Sequence, residues 1–206
     1  MRKKLIILFI GIGSFTLFAQ QRDHRTREYI APVRIVWLQD SSRITGANHL
    51  LVPGNGQSDL ANNRLCVLKS TPTEHPALLL DFGKELQGGL QLVTGMPPSH
   101  DPVSVRVRFG ESVSEAMCEI DGANGASNDH AMRDFVVSLP WLGVQEIGNS
   151  GFRFVRIDVL GDSTELQLKE VRAISTFRDI PYLGSFRCND ERLNRIWKTG
   201  AYTVHL

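Results

Sequence analysis

Apolar and polar side chains alternate in short runs over much of this chain. The clearest run is "VSVRVRF". Val103, Val105, Val107 and Phe109 lie on one side of an extended backbone, and Ser104, Arg106 and Arg108 lie on the other. Weaker or more continuous runs predict further strands: "VRIVW" at 33–37, "ALLLDF" at 77–82, "GLQLV" at 89–93, "DFVVSL" at 134–139, "FRFVRIDV" at 152–159 and "LQLKEVRAISTF" at 166–177. Turn signals separate them: "VPGNG", the Gly88–Gly89 pair, "TGMPPSHDP", "DGANG" and "GNSG". Many short strands with Gly, Pro and Asn turns predict a mainly β fold, an antiparallel β-sandwich or jelly roll.

Past "RDIPYLGSF" at 178–186 the period changes. Asn189 or Asp190 can cap a helix, and Glu191 places a negative charge at the positive end of its dipole. Leu193, Ile196, Trp197, Gly200, Ala201 and Val204 then recur at spacings of three and four and form one apolar stripe. No Gly cap, Pro or polar tail follows the stripe. A β domain over 33–182 is therefore expected to hand over to the first helix, 183–206, of an α-helical domain that continues no further in this sequence.

The first residues carry a different signal. Arg2, Lys3 and Lys4 precede a short apolar run and Ala19, the layout of a secretory signal peptide over 1–19. A membrane span needs about 20 apolar residues, so none is expected after cleavage. The polar stretch "QQRDHRTREY" places 20–32 in a flexible leader. The expected location is periplasmic or extracellular. Cleavage removes three basic residues and takes Lys plus Arg from 23 to 20 against 22 acidic residues. That balance lacks the clustered positive charge of a nucleic-acid binder. Three cysteines make no disulfide framework and no zinc spacing. No phosphate-cradling glycine motif occurs, so no cofactor is expected.

Several stretches together resemble one family. "LLLDFGKELQGGLQLV", "VRVRFGESVSEAM", "NDHAMRDFVVSLPWLG", "NSGFRFVRIDV", "VRAISTFRDIPYLGSF" and "NDERLNRIWKTGAYTVHL" are similar, in order, to the N-terminal part of bacterial α-L-rhamnosidase-like glycoside hydrolases. The family's helix-opening pattern F-x-x-[SN]-D-x-x-L-N-x-I-W is matched by Phe186, Asn189, Asp190, Leu193, Asn194, Ile196 and Trp197. The resemblance implies a secreted accessory β-sandwich followed by the first helix of a truncated (α/α)6 catalytic barrel. It also implies an inverting two-carboxylate hydrolysis of α-L-rhamnosyl linkages in the parent enzyme, whose carboxylates lie in the missing barrel. Hence no catalytic and no metal residue is assigned. The implied partners are that barrel and a rhamnose-containing carbohydrate. The alternative is a free-standing carbohydrate-binding or structural interaction module, which needs no helix.

Candidate carbohydrate contacts are Glu111, Asp129, His130 and Trp141. Glu111 belongs to an acidic run with Glu115, Glu119 and Asp121, whose plainer reading is a solvated turn. Asp129 and His130, with Arg133 and Asp134, suit charge-assisted bonds to sugar hydroxyls, or a structural network at a strand entrance. Asn124, Asn128, Asp121 and Asp129 are oxygen donors without EF-hand spacing, so calcium is not expected. Trp141 follows a Pro in a loop and is the exposed-aromatic candidate, whereas Trp37 and Trp197 read as core. Cys66 and Cys118 read as buried small side chains.

Overall fold

A computed structural model describes residues 24–60, 64–120 and 133–206. Nine strands and two helices run β1 (Thr26–Ile30), β2 (Arg34–Gln39), β3 (Ile44–Thr45), β4 (Cys66–Lys69), β5 (Ala77–Thr94), β6 (Val103–Gly110), α1 (Val113–Met117), β7 (Asp134–Leu139), β8 (Val144–Val159), β9 (Glu165–Phe177) and α2 (Glu191–His205). All pairings are antiparallel, in the order β3-β4-β9-β5-β8-β6-β7, with β1 added to β9 and β2 to β5. Among the described residues no helix is long and apolar enough to cross a membrane.

The continuous ladder makes two layers because β5 and β8 serve in both. The first part of β5 pairs with β2 and with the last part of β8, as in Leu80 opposite Val155; β6 and β7 extend that layer. The second part of β5 pairs with β9 and with the start of β8, as in Leu92 opposite Gln145. Strands β1 and β4 then add to β9. Leu78, Leu80, Val105, Val107, Phe109, Val155 and Ile157 from one layer meet Leu90, Leu92, Leu166, Leu168, Val171 and Ala173 from the other in one buried cluster. Each such aliphatic side chain contributes about 1.5–3 kcal/mol.

The alternation predicted for β6 holds, with Val103, Val105, Val107 and Phe109 all buried. Three expectations change. The Gly88–Gly89 pair and "GNSG" are not turns between strands. They are register shifts inside β5 and β8, between Gly88 and Leu90 and across Gly148 and Asn149. The strands read at 77–82 and 89–93 are likewise one, β5, with a further register shift between Asp81 and Leu86. A strand that passes from one layer to the other must kink, and glycine permits the kink. Gly88 sits at φ 145°, with an ideal Cβ only 1.9 Å from the Ile174 carbonyl oxygen. The third change is in the leader. Residues 26–30, expected to be flexible, form β1, because their backbone completes the free edge of β9 from Thr26 opposite Phe177 to Ile30 opposite Ala173. Residues 1–19, expected as a signal peptide, lie outside the described residues.

Helix α2 begins as expected. Asp190 Oδ1 accepts from the Arg192 and Leu193 N–H groups at 2.8 and 3.4 Å. Asn194 is buried; its Oδ1 accepts from Cys188 N–H at 2.8 Å and its Nδ2 donates to Cys188 O at 2.9 Å, which pins the entering chain to the first turn.

Val105→Asp buries an unpaired charge between the layers. It is expected to cost about 4 kcal/mol or more and to abolish the cooperative thermal transition. Gly88→Ala should lower the melting temperature, whereas Gly184→Ala, with open space around it, should not. Circular dichroism melts check all three, and a Val105→Asp melt close to the parent's overturns the register.

Candidate functional site

The outward face of the layer built on β2, β5, β8, β6 and β7 is charged, because the alternation that buries the β6 valines turns Arg106 and Arg108 outward. Arg106 Nε donates to Asp134 Oδ1 at 2.7 Å and its Nη2 to Glu119 Oε2 at 2.7 Å. Arg108 bridges Glu119 and Asp158 at 3.0 and 3.1 Å. Arg156 pairs with Asp158 at 2.6 Å and covers the Trp37 ring at 4.9 Å. The Arg106 hydrogen bond holds the Glu119 carboxyl below the usual range. Asp81, fully buried at the β5 kink, accepts from Arg153, Arg34 and the Gly83 N–H. Burial pushes its carboxyl up, but these donors outweigh burial and bring it to about 2.

The acidic run was expected as a solvated turn. Glu111 and Glu119 are indeed exposed, but the run also carries α1, whose Ser112 Oγ accepts from the Glu115 N–H at 3.2 Å, and Glu115 and Glu119 are ion-paired. The pairing partners, Arg106, Arg108 and Arg133, come from β6 and the entrance of β7. Spacing within the acidic run carries no trace of them.

Where β5 and β8 cross between layers, polar groups gather on the outer side. Gln87 is opposite Gly151 in the ladder. A Cβ at residue 151 would stand 3.3 Å from Glu85 Oε1, 3.5 Å from Glu111 Oε1 and 3.8 Å from Gln87 Oε1. The absent side chain lets two carboxylates and an amide gather over the backbone there. Arg133 closes one side, 3.4 Å from Glu111 and also paired with Glu115. Burial pushes the Glu85 carboxyl up to about 7, and the charge on Glu111 adds to the push; Arg133 and Arg153 pull weakly against it. Gln87 Nε2 donates to Asn149 Oδ1 at 3.5 Å, which links this cluster to a neighbouring cavity.

That cavity, of about 300 Å³, sits over the kink itself. Its floor is the backbone of Gly88, Gly89 and Gly148, flanked by Ile147 and Ile174. Its walls are Arg25 and Arg27 from the β1 region, Glu146 and Asn149 from β8 and Thr176 from β9. Glu146 is anchored: Arg27 Nη2 donates to Oε2 at 2.6 Å, and Tyr29 O–H and Gln91 Nε2 both donate to Oε1 at 3.0 Å. Burial raises its carboxyl, but the Arg27 hydrogen bond and the two others outweigh burial and hold it below the usual range.

Among the described sequence candidates, Glu111 lies at this cluster, joined by Arg133. Trp141 stands at the far end of β6, beside the Val103–Leu139 pair, whereas Glu111 follows Gly110 at the near end. Its Nε1 donates to Pro97 O at 3.2 Å and its ring meets His100 at 4.6 Å, so it ties two loops together. Asp129 and His130 lie outside the described residues, as do Asp121, Asn124 and Asn128. Trp37 and Trp197, expected in the core, are half-buried. Cys66 is buried and its thiol pushed up to about 12 by burial, while Cys118 is half-buried. The missed residues are Glu85, Gln87, Glu146 and Asn149. The one available signal was glycine inside alternating strands, which marks bulges as well as turns.

No family model matches the chain, and no curated protein matches it either. Solved structures do. A rhamnosidase from Klebsiella oxytoca, with rhamnose bound, superposes with a TM-score of 0.61 at 15% identity over 88% of this chain and 35% of that one. A GH78 family rhamnosidase of Bacillus sp. GL1 superposes with a TM-score of 0.56 at 19% identity over 78% of this chain and 15% of that one. A fucose binding module of Streptococcus pneumoniae covers 72% of this chain and 96% of its own, with a looser TM-score of 0.47 at 13% identity. At these identities the two rhamnosidases share a fold with this chain, which spans only a minor part of their length.

The raised Glu85 carboxyl has a signed consequence. Its folded value, about 7, lies above the ordinary 4.5, so the fold binds a proton that the unfolded chain releases. Stability is therefore greatest below about pH 4.5 as far as this group is concerned, and falls as pH rises to about 7. Screening of a half-exposed group limits the effect to about 1 kcal/mol, or about 2–4 °C in melting temperature. Glu85→Gln should remove this share of the decline between pH 5 and 8, and Glu74→Gln should not. Parallel pH slopes in melts of Glu85→Gln and the parent overturn the assignment.

Proposed function

We propose that this chain is the N-terminal accessory β-sandwich region of an exported α-L-rhamnosidase-like glycoside hydrolase, and that α2 opens its helical catalytic part. One observation carries the reading. Helix α2 is capped and pinned at its start, yet Leu193, Ile196 and Val204 are 47%, 58% and 89% exposed. Its last turn is tied to the sandwich by polar groups. Tyr202 O–H donates to Glu85 O at 2.5 Å. A His205 ring protonated on Nε2 donates to Arg178 O at 2.5 Å and accepts from Tyr182 O–H through Nδ1 at 2.7 Å. A helix placed by polar ties, with its apolar side left open, is built to receive further helices.

The helix-opening pattern from Phe186 to Trp197 and the shared fold with two rhamnosidases support the same reading. The basic start and short apolar run of residues 2–18 support export. Hydrolysis with inversion takes two carboxyls roughly 6.5–9.5 Å apart, one to protonate the leaving oxygen and one to activate water. In this reading both belong to the helical part. The sandwich braces it through the Tyr202 and His205 ties.

Antibody raised against the sandwich should precipitate α-L-rhamnosidase activity from the source organism's periplasmic or culture fraction, assayed on an aryl α-L-rhamnoside. A precipitate that holds the chain but no such activity overturns the proposal. The purified chain itself should associate through its stripe. Replacing Leu193, Ile196 and Val204 together by Lys should shift light scattering toward the monomer, and equal scattering before and after counts against an open helix face.

A further inference from the structure

We propose that the hold of the sandwich on helix α2 is a proton-controlled latch, closed when Glu85 is neutral and loosened when Glu85 is ionised. The latch starts at the first register shift of β5. Asp81 and Leu86 pair with Phe154 and Phe152, so Phe82, Gly83, Lys84 and Glu85 stand opposite the single Arg153. This surplus segment meets the last turns of α2. Glu85 O accepts from Tyr202 O–H at 2.5 Å, and Lys84 Nζ lies 5.2 Å from the centre of the Tyr202 ring. The connecting residues 178–187 are exposed throughout and have no regular structure, so they can follow a helix that moves.

Glu85 thus serves two contacts. Its main chain holds α2, and its half-buried carboxyl lies over Gly151, where Glu111 Oε1 and Gln87 Oε1 surround the same point. While Tyr202 fixes the main chain, the carboxyl stays beside Glu111 and partly out of water. Burial and then the Glu111 charge oppose its ionisation, and Arg133 and Arg153 do not make up the difference, so it is held up to about 7. The helix feels the same charge. Burial, then Glu85, with Tyr182 and Glu28, pushes the Tyr202 hydroxyl up. Release of Tyr202 frees the main chain and lets the carboxylate turn to water. A group that holds its proton more tightly in the closed state closes that state when protonated. Raising the pH through about 7 therefore loosens α2. His205, at the same end of the helix, acts in the opposite sense. Its Nδ1 accepts from Tyr182 O–H, and a proton taken up there at lower pH removes that acceptor. Loosening as the pH rises is thus the mark of Glu85. The latch deepens the reading of α2 as the opening of a helical part, since it sets how firmly the sandwich grips that part.

Amide exchange over Thr199–His205 of the dilute purified chain, corrected for the intrinsic rate at each pH, tests the latch. Protection should fall about threefold or more between about pH 5.5 and about pH 8.5. Glu85→Gln should keep the higher protection at both pH values. Tyr202→Phe, which removes the tie, should show low protection at both. Glu74→Gln, in a distant surface pair with Arg43, should match the parent. Equal protection of the parent at both pH values, a rise in place of a fall, or a full fall retained in either Glu85→Gln or Tyr202→Phe each overturn the proposal. None of these outcomes bears on precipitated rhamnosidase activity, so the two readings fail separately.

Discussion

Two strands of this fold have to belong to two layers at once. β5 and β8 each spend one part in the layer with β2, β6 and β7 and another in the layer with β9. An extended chain changes layer only if its pleat is interrupted, and it does so here at two register shifts. Glycine holds the second of them on both strands. Gly88 lets the β5 backbone lie against Ile174, and Gly148 at φ 77° leaves room for the Phe109 ring. The buried Asp81 holds the earlier kink of β5 by accepting from β2 through Arg34 and from β8 through Arg153. Core packing, the polar cluster at Gly151 and the cavity beside it all follow from that crossing.

A kink in a central strand also opens the sheet. Side chains that would cover a regular ladder are missing at Gly88, Gly89 and Gly151, and the polar residues on either side close around the gap. Burial there is partial, which is why Glu85 is driven toward the neutral form while Glu146, with three donors on it, stays ionised. Two carboxylates a few residues apart in the ladder thus behave oppositely for a local reason, the number of donors each one meets.

Elsewhere the polar surface is structural. The arginines of β6 and β8 find carboxylates on β5, β7, β8 and just past α1, and Arg156 adds a cation–π contact to Trp37. Such pairs, buried or half-buried here, fix registers more than they add stability, since the cost of taking both charges out of water offsets much of their attraction. Helix α2 leaves an apolar side open, with Ile196 and Val204 exposed. Its start and end are tied down by hydrogen bonds, and its apolar side is not covered.

How much of this was legible in the linear pattern depended on the range of the interaction. The β6 alternation, the strands of the series and the Asp190 cap rest on neighbours one to four residues apart, and a sequence displays those directly. The division of β5 into two strands, and the start of β8 at Phe152 instead of Val144, were wrong because a glycine inside a strand and a glycine in a turn look alike until the partner strand is known. The leader's strand could not be read either, since the mostly polar TREYI becomes β1 only when the edge of β9 is beside it. The same holds for the polar cluster. Glu85, Glu111, Gln87 and Asn149 are scattered over 65 positions of sequence, and nothing but the antiparallel crossing of two long strands brings them around one missing side chain. Local periodicity determined which segments extend and which coil; the tertiary structure decided which charges meet, because ion pairing and burial act through space and leave no period in the chain.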